Sequence, residues 1–402
     1  MYKLLVFALL IAGAGEPIRH VSPYTAMWTT PAVLLAAMLI AWAAESAQFF
    51  IAQGFALAIL AWIQTLPEFA VEAVLAWHQQ VPFLMANLTG ALRLLTGLGW
   101  PMIYFTAAFV HRRRTGKPLR NIELDAMQSV QVVGLLPPLA YMGLVWWKST
   151  LHVYDAIVLT AMYAAYLLVL GKMPPEGEEG IEDLERIPRA VVRSPKLQRN
   201  LWITVLFASG ALLIYYMAEP FLASLMALSV VAGIPSFVFI QWVAPFVSEF
   251  PEKISAFYWA RTVTRAPMAL MNMVSSNINQ WTLLVAMLPI VYSFSRGAAT
   301  GIPLDPQQEL ELLMTIGQSL LGMLFLVNMQ LAWWEAGGLF LLWAVQFGFS
   351  AAAVGSDIHW WITVAYYVWA AWEIVRIIAG GRKPAAFRDF GHLWATHVSR
   401  VR

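Results

Sequence analysis

The stretch Thr65-Leu66-Pro67-Glu68, inside an apolar run, has a counterpart in Glu249-Phe250-Pro251-Glu252 in the other half of the chain. Each is preceded by an Ala-Glu pair, Ala44-Glu45 and Ala218-Glu219. Each is also followed by asparagines. Asn87-Leu88-Thr89-Gly90 comes after Glu68 at almost the same interval as Asn272-Met273-Val274-Ser275-Ser276-Asn277 comes after Glu252. The same elements in the same order and at matching spacing make an internal repeat.

Composition says what solvent surrounds the repeats. Of 402 residues, 60% are hydrophobic and 12% charged, with 19 Trp and 22 Phe. A soluble domain carries roughly 25% charged residues, and its surface is too large to hide so much apolar area. The chain therefore reads as a polytopic membrane protein, all-α, with about 10–12 transmembrane helices. A net charge of +2 argues against nucleic acid as a partner. With no cysteine, thiolate metal sites and cysteine nucleophiles are excluded. Seven scattered His and the absence of HExxH, phosphate-loop and GxSxG motifs leave no basis for an enzyme.

Apolar stretches of bilayer length fall near 28–48, 54–77, 83–109, 124–147, 151–171, 200–218, 236–259, 268–294, 310–330, 333–353 and 358–379. The piece 221–234, between Pro220 and Pro235, reads as a surface or re-entrant segment. Tyr2–Gly15 reads either as a signal peptide or as a half-length span. Basic residues collect at 111–120, 172–199, Arg261 with Arg265, and the tail with Arg382, Lys383 and Arg388. All four fall on one side of this span order. The positive-inside rule makes that side the cytoplasm and places the C-terminus there, in a cytoplasmic membrane. The organisation expected is an N-terminal half at 1–171, a cytoplasmic linker at 172–199, a C-terminal half at 200–379 and a cytoplasmic tail at 380–402. Because the Glu68 and Glu252 spans then run in opposite directions, the five-helix repeats are inverted, the arrangement of secondary transporters with midplane sites.

A carboxylate in mid-membrane costs about 2.5–3.5 kcal/mol on insertion scales. The proline before each Glu removes a donor from the carbonyl four residues earlier, Ile63 or Val247, and breaks the helix. Free backbone oxygens beside a carboxylate suit a hard cation such as Na⁺ or Ca²⁺. Glu68 and Glu252 are thus the candidate metal ligands. Thr65, Ser248, Glu249, Asn87, Asn272, Ser276 and Asn277 complete an oxygen-lined cavity, with Gln64 and Ser275 nearby. The bland alternative is that Pro-Glu starts a helix at a membrane surface; two such pairs at matched positions outweigh it. Glu72 shares a face with Glu68, while Glu45 and Glu219 read as interfacial anchors or second-layer partners. Arg93 and Lys253 are possible gating or charge partners. Counting them against Glu68, Glu72, Glu249 and Glu252 gives 2−4 = −2.

The paired Pro-Glu and Asn-x-x-[Gly/Ser]-Ser-Asn elements resemble the two alpha repeats of the Ca²⁺:cation antiporter superfamily, which includes the sodium/calcium exchangers. The resemblance covers 58–95 and 240–285, and is nearest a divergent bacterial branch. There the pattern is roughly Gly-Thr-Ser-x-Pro-Glu, then Gly-Asn-x-x-Gly-Ser-Asn. It implies that Glu68 and Glu252 are the central cation ligands, and that Gln64, Thr65, Ser248 and Glu249 stand where the family has Thr-Ser. The first repeat departs from the pattern, since Ala91-Leu92-Arg93 replaces the final Ser-Asn. The expected function is secondary antiport of Ca²⁺ or another cation against Na⁺ or H⁺, with cations, protons and the bilayer as partners and no cofactor. Two alternatives stand: a Na⁺/H⁺ antiporter that does not carry Ca²⁺, and a transport-inactive homologue, its site locked by Arg93 on Glu68, that acts as a membrane assembly partner. Low dielectric disfavours a carboxylate's charge, which makes proton coupling chemically easy.

Overall fold

The computed structural model describes residues 15–50, 62–174, 181, 184–350 and 357–399. The Tyr2–Gly15 run, except Gly15, and most of the acidic cluster at 176–185 lie outside them. Of the eleven expected stretches, eight become helices long and apolar enough to span a bilayer. Among the described residues the other three give shorter helices. The 54–77 stretch contributes α2 (Leu66–Trp77), 236–259 divides into α10 (Ser236–Ser248) and α11 (Phe250–Ala260), and 333–353 contributes α15 (Trp333–Phe349).

The first half runs α1 (Ala26–Ala47), α2, α3 (Val81–Leu94), a π turn at Leu95–Gly99 and α4 (Trp100–Thr115). It continues through β1 (Asn121–Glu123), α5 (Ser129–Gly134), α6 (Leu136–Trp147), β2 (Thr150–Leu151) and α7 (Val153–Leu170). After α8 (Arg186–Arg193), the second half runs α9 (Lys196–Ala232), α10, α11, α12 (Ala266–Asn279), a π turn at Gln280–Leu284 and α13 (Val285–Arg296). Then come β3 (Ile302–Pro303), α14 (Pro306–Leu326), β4 (Gln330–Ala332), α15, α16 (Ile358–Ile378) and α17 (Ala385–Leu393).

The halves correspond in detail. The two π turns open at equivalent places, Leu95 and Gln280, with an offset of 280−95 = 185. Asp125 and Asp305, offset by 305−125 = 180, both exchange hydrogen bonds with the residue three positions on, Gln128 or Gln308, and so cap the helix that follows. The non-glycine residues with positive φ pair off as Gln79 with Val263 and Ser149 with Met329, marking equivalent tight turns. Packing is exchanged between halves: α2 meets α13 while α11 meets α4, and the first π turn lies on α15 while the second lies on α7. The strands follow the same rule, β1 pairing antiparallel with β4 and β2 with β3. This is the pseudo-two-fold relation of two inverted five-helix repeats with broken helices.

Hydropathy and burial run opposite to a soluble protein. The best window of α9 has mean hydropathy 1.8 and is 17% buried, whereas that of α14 has 1.4 and is 78% buried. Lipid tails are as apolar as Leu, so the periphery takes the most apolar helices and the middle keeps polar side chains. The segment 221–234 is corrected by the structure. It continues α9 through Pro220 and ends where Gly233 turns left-handed at φ 65. Pro220 costs one internal hydrogen bond, and packing of α9 along α1 holds the helix together across it.

Candidate cation site

Pro67 and Pro251 each open a helix, because a proline in the first turn forfeits only a donor that would be unused there. The helix-start reading is therefore correct, and both starts lie inside the protein. Glu68 is 0% and Glu252 1% exposed. Each lies in the first turn of its half-helix, at the positive end of the helix dipole.

The asparagine-rich helices α3 and α12 converge on these starts. Asn87 donates to Glu72 at 3.2 Å, and Ser276 donates to Glu252 at 3.2 Å. Asn272 reaches Gln64 at 3.5 Å. Asn279 donates to the Thr65 hydroxyl at 2.5 Å. The Gln280 amide nitrogen contacts Glu68 at 2.7 Å and Glu249 at 2.6 Å, tying the two Pro-Glu motifs together. Ser248 bonds back to the Ala244 carbonyl at 3.1 Å. Asn277 turns away from the carboxylates, toward Thr96 of the first π turn at 3.3 Å.

Several of these groups keep an oxygen that is buried and without a hydrogen-bond partner: Glu68 Oε1, Glu72 Oε2, Glu252 Oε1, Asn87 Oδ1, Asn272 Oδ1, Asn279 Oδ1 and Gln280 Oε1. Buried acceptors are normally paired. Seven unpaired acceptors around two helix breaks make a region that favours a positive charge. Among the described residues, no three His, Asp or Glu gather tightly enough to hold a metal by themselves. Amide oxygens would therefore have to complete any shell, as they do for hard cations.

The two basic residues behave differently from each other. Lys253 is buried and bonds Glu249 one helical turn earlier. Glu249 thus has one oxygen on Lys253 and the other on Gln280. Arg93 does not reach Glu68. Its Nη2 pairs with Glu311 of α14 at 2.6 Å, and its Nε donates to the Thr89 carbonyl at 2.8 Å. Glu311 also accepts from Gln241 at 2.9 Å and lies 2.9 Å from His359 Nδ1. With Arg93 satisfied by its own carboxylate, the four deep acids face Lys253 alone. Counted with every carboxyl ionised, and with Arg93 left to Glu311, the formal charge is 1−4 = −3.

Of the outer acids, Glu45 is buried and accepts from Ser255 of α11 at 2.7 Å, while Glu219 is 38% exposed and 3.8 Å from His78. Sequence reading missed Gln280, Asn279, Glu311 and His359. The signal for Gln280 was present: Asn272, Ser276 and Gln280 are spaced by four, on one stripe of a helix.

Two inverted repeats, each starting a buried half-helix at Pro-Glu and facing it with amide oxygens, define a membrane cation exchanger. Residues 4–172 and 202–352 match the sodium/calcium exchanger protein family, and the chain belongs to that family. It is a multi-pass transporter, not an enzyme. It is similar to the crystal structure of the H⁺/Ca²⁺ exchanger CAX, at 30% identity over 98% of this chain and 97% of that one, with a TM-score of 0.84. The sodium-calcium exchanger NCX_Mj shares the fold at 17% identity over 81% of this chain and 98% of that one, with a TM-score of 0.55. Native YfkE does so at 14% identity over 88% of this chain and 100% of that one, with a TM-score of 0.58. A comparison with curated protein sequences gave no match.

Proposed function

We propose that the protein exchanges Ca²⁺ for H⁺ by alternating access, with Glu68 and Glu252 as its central ligands. Unpaired amide oxygens of Asn87, Asn272, Asn279 and Gln280 complete the shell, with Glu72 held beside it by Asn87. The observation that carries this reading is the set of seven buried, unpartnered acceptors among carboxyls whose formal charge, when ionised, is −3. One divalent ion offsets two of those charges. When it leaves, protons on the carboxylates are the smallest species that can restore neutrality in a low-dielectric interior. Similarity along nearly the whole chain to an H⁺/Ca²⁺ exchanger supports protons as the counter-ion. Glu249, held by Lys253 and Gln280, positions the site instead of coordinating directly. The halves at 1–171 and 200–379 rock against each other in a cytoplasmic membrane. The basic loops and the tail face the cytoplasm, in keeping with their charge.

The test is radiolabelled Ca²⁺ uptake into proteoliposomes under an imposed pH gradient, and separately under a Na⁺ gradient. Uptake driven by protons and abolished in both Glu68→Gln and Glu252→Gln is the expected result. Uptake driven by Na⁺ alone would reassign the counter-ion. Folded protein that moves Ca²⁺ under neither gradient would end the proposal.

A further inference from the structure

The tail end of α16 carries a second polar construction, apart from the ion site. A cavity of about 460 Å³ lies between the β1–β4 ladder and the turn into α17. Asn121, Trp334, Arg376, Arg382, Lys383 and Arg388 line it, together with Glu335.

Arg382 is 4% exposed and bonds Glu335 at 2.5 Å, Glu373 at 2.8 Å and Asn328 at 3.0 Å. Its Nε is nevertheless buried with no hydrogen-bond partner. Arg376 also bonds Glu373, at 2.9 Å. Arg388 pairs with its neighbour Asp389 at the surface, and exposed Lys383 makes no ion pair among the described residues. Four cations against Glu335, Glu373 and Asp389 leave 4−3 = +1. The walls thus carry one uncompensated positive charge, with Lys383 free to supply it, which is what a single phosphate monoanion neutralises.

Its surroundings narrow the source. The last turns of α16, which also carry Arg376 of the cavity lining, expose Trp372, Val375 and Ile378, and α17 exposes Phe387, with Trp394 beyond it. Apolar surface on one side and a basic pocket on the other is the profile of a headgroup site between transmembrane helices. We infer that this cavity binds the phosphate of an anionic phospholipid, with the acyl chains lying along Trp372, Val375 and Ile378. Because the pocket joins β1 of the first repeat, β4 of the second and the tail, bound lipid would brace all three.

The test uses the full chain in nanodiscs holding equal phosphatidylglycerol and phosphatidylcholine, with native mass spectrometry of retained lipid. Inorganic phosphate serves as the soluble probe. The variant Lys383→Gln/Arg388→Gln changes two exposed side chains, and Arg113→Gln/Arg114→Gln is the control on a basic loop outside the cavity. Wild type and control should retain phosphatidylglycerol preferentially, and the pocket variant should lose about tenfold or more of that preference. Phosphate binding that the pocket variant loses, without any lipid preference, would keep the phosphate site and make its source soluble. Equal retention of both lipids with no phosphate binding, or a pocket variant indistinguishable from wild type, would overturn the inference.

Discussion

The two repeats share their helix breaks, π turns and capping residues, yet they fill the space beneath the π turns with different chemistry. In the first repeat, Arg93 pairs with Glu311 among Gln241 and His359. The equivalent positions in the other repeat, 93+185 = 278 and 311−180 = 131, hold Ile278 and Gln131, both buried. One side of the molecule is pinned by an ion pair between α3 and α14, while the other holds an uncharged Ile and Gln at the matching positions. Halves of one ancestral design need not open at equal cost, and the asymmetry is confined to a few side chains.

Copying one repeat's chemistry into the other tests that comparison. Arg93→Ile alone leaves the buried Glu311 with only Gln241 and His359 beside it, and breaking a buried ion pair costs about 3–5 kcal/mol. Thermal unfolding in detergent should show a large drop in stability, and adding Glu311→Gln should recover most of it. A double variant no more stable than the single one would show that Arg93 acts instead through Thr89 and through Trp242, whose ring centre lies 5.3 Å from its guanidinium. Next in size is Gln280→Leu, which reproduces Leu95 of the first repeat. Removing a group that orients ligands costs roughly 10–100-fold, read as Ca²⁺ flux with folding preserved. Unchanged flux would mean that its bridge between Glu68 and Glu249 is incidental. The smallest effect is expected at Val263, a β-branched residue at φ 63. Val263→Gly should stabilise by on the order of 1 kcal/mol. Gln79→Gly should not, since the Gln79 side chain bonds Ser295 at 3.1 Å.

How far the sequence could be read follows from the range of each interaction. Pro67-Glu68 and Pro251-Glu252 were legible because a proline's effect is local and its repetition is visible in one dimension. Glu72 and Ser276 were legible too, being one turn or one helix from the motif. Arg93 was not: nothing near it in sequence says that its carboxylate lies on α14, in the other half of the chain. The continuity of α9 through Pro220 was hidden for the same reason, since the packing that stabilises it comes from α1.

The exchanged strands also bear on how the protein is made. β2 ends at Leu151 and its partner β3 begins only at Ile302, while β1 ends at Glu123 and β4 begins at Gln330. During synthesis the first half leaves the ribosome with both strand edges unpaired, in a chain that can satisfy them only with residues not yet translated. The strands are too short, at two or three residues each, for that interval to do harm. A chain severed in the linker at 172–199 should accordingly yield halves that assemble when made together and are cleared by quality control when made apart.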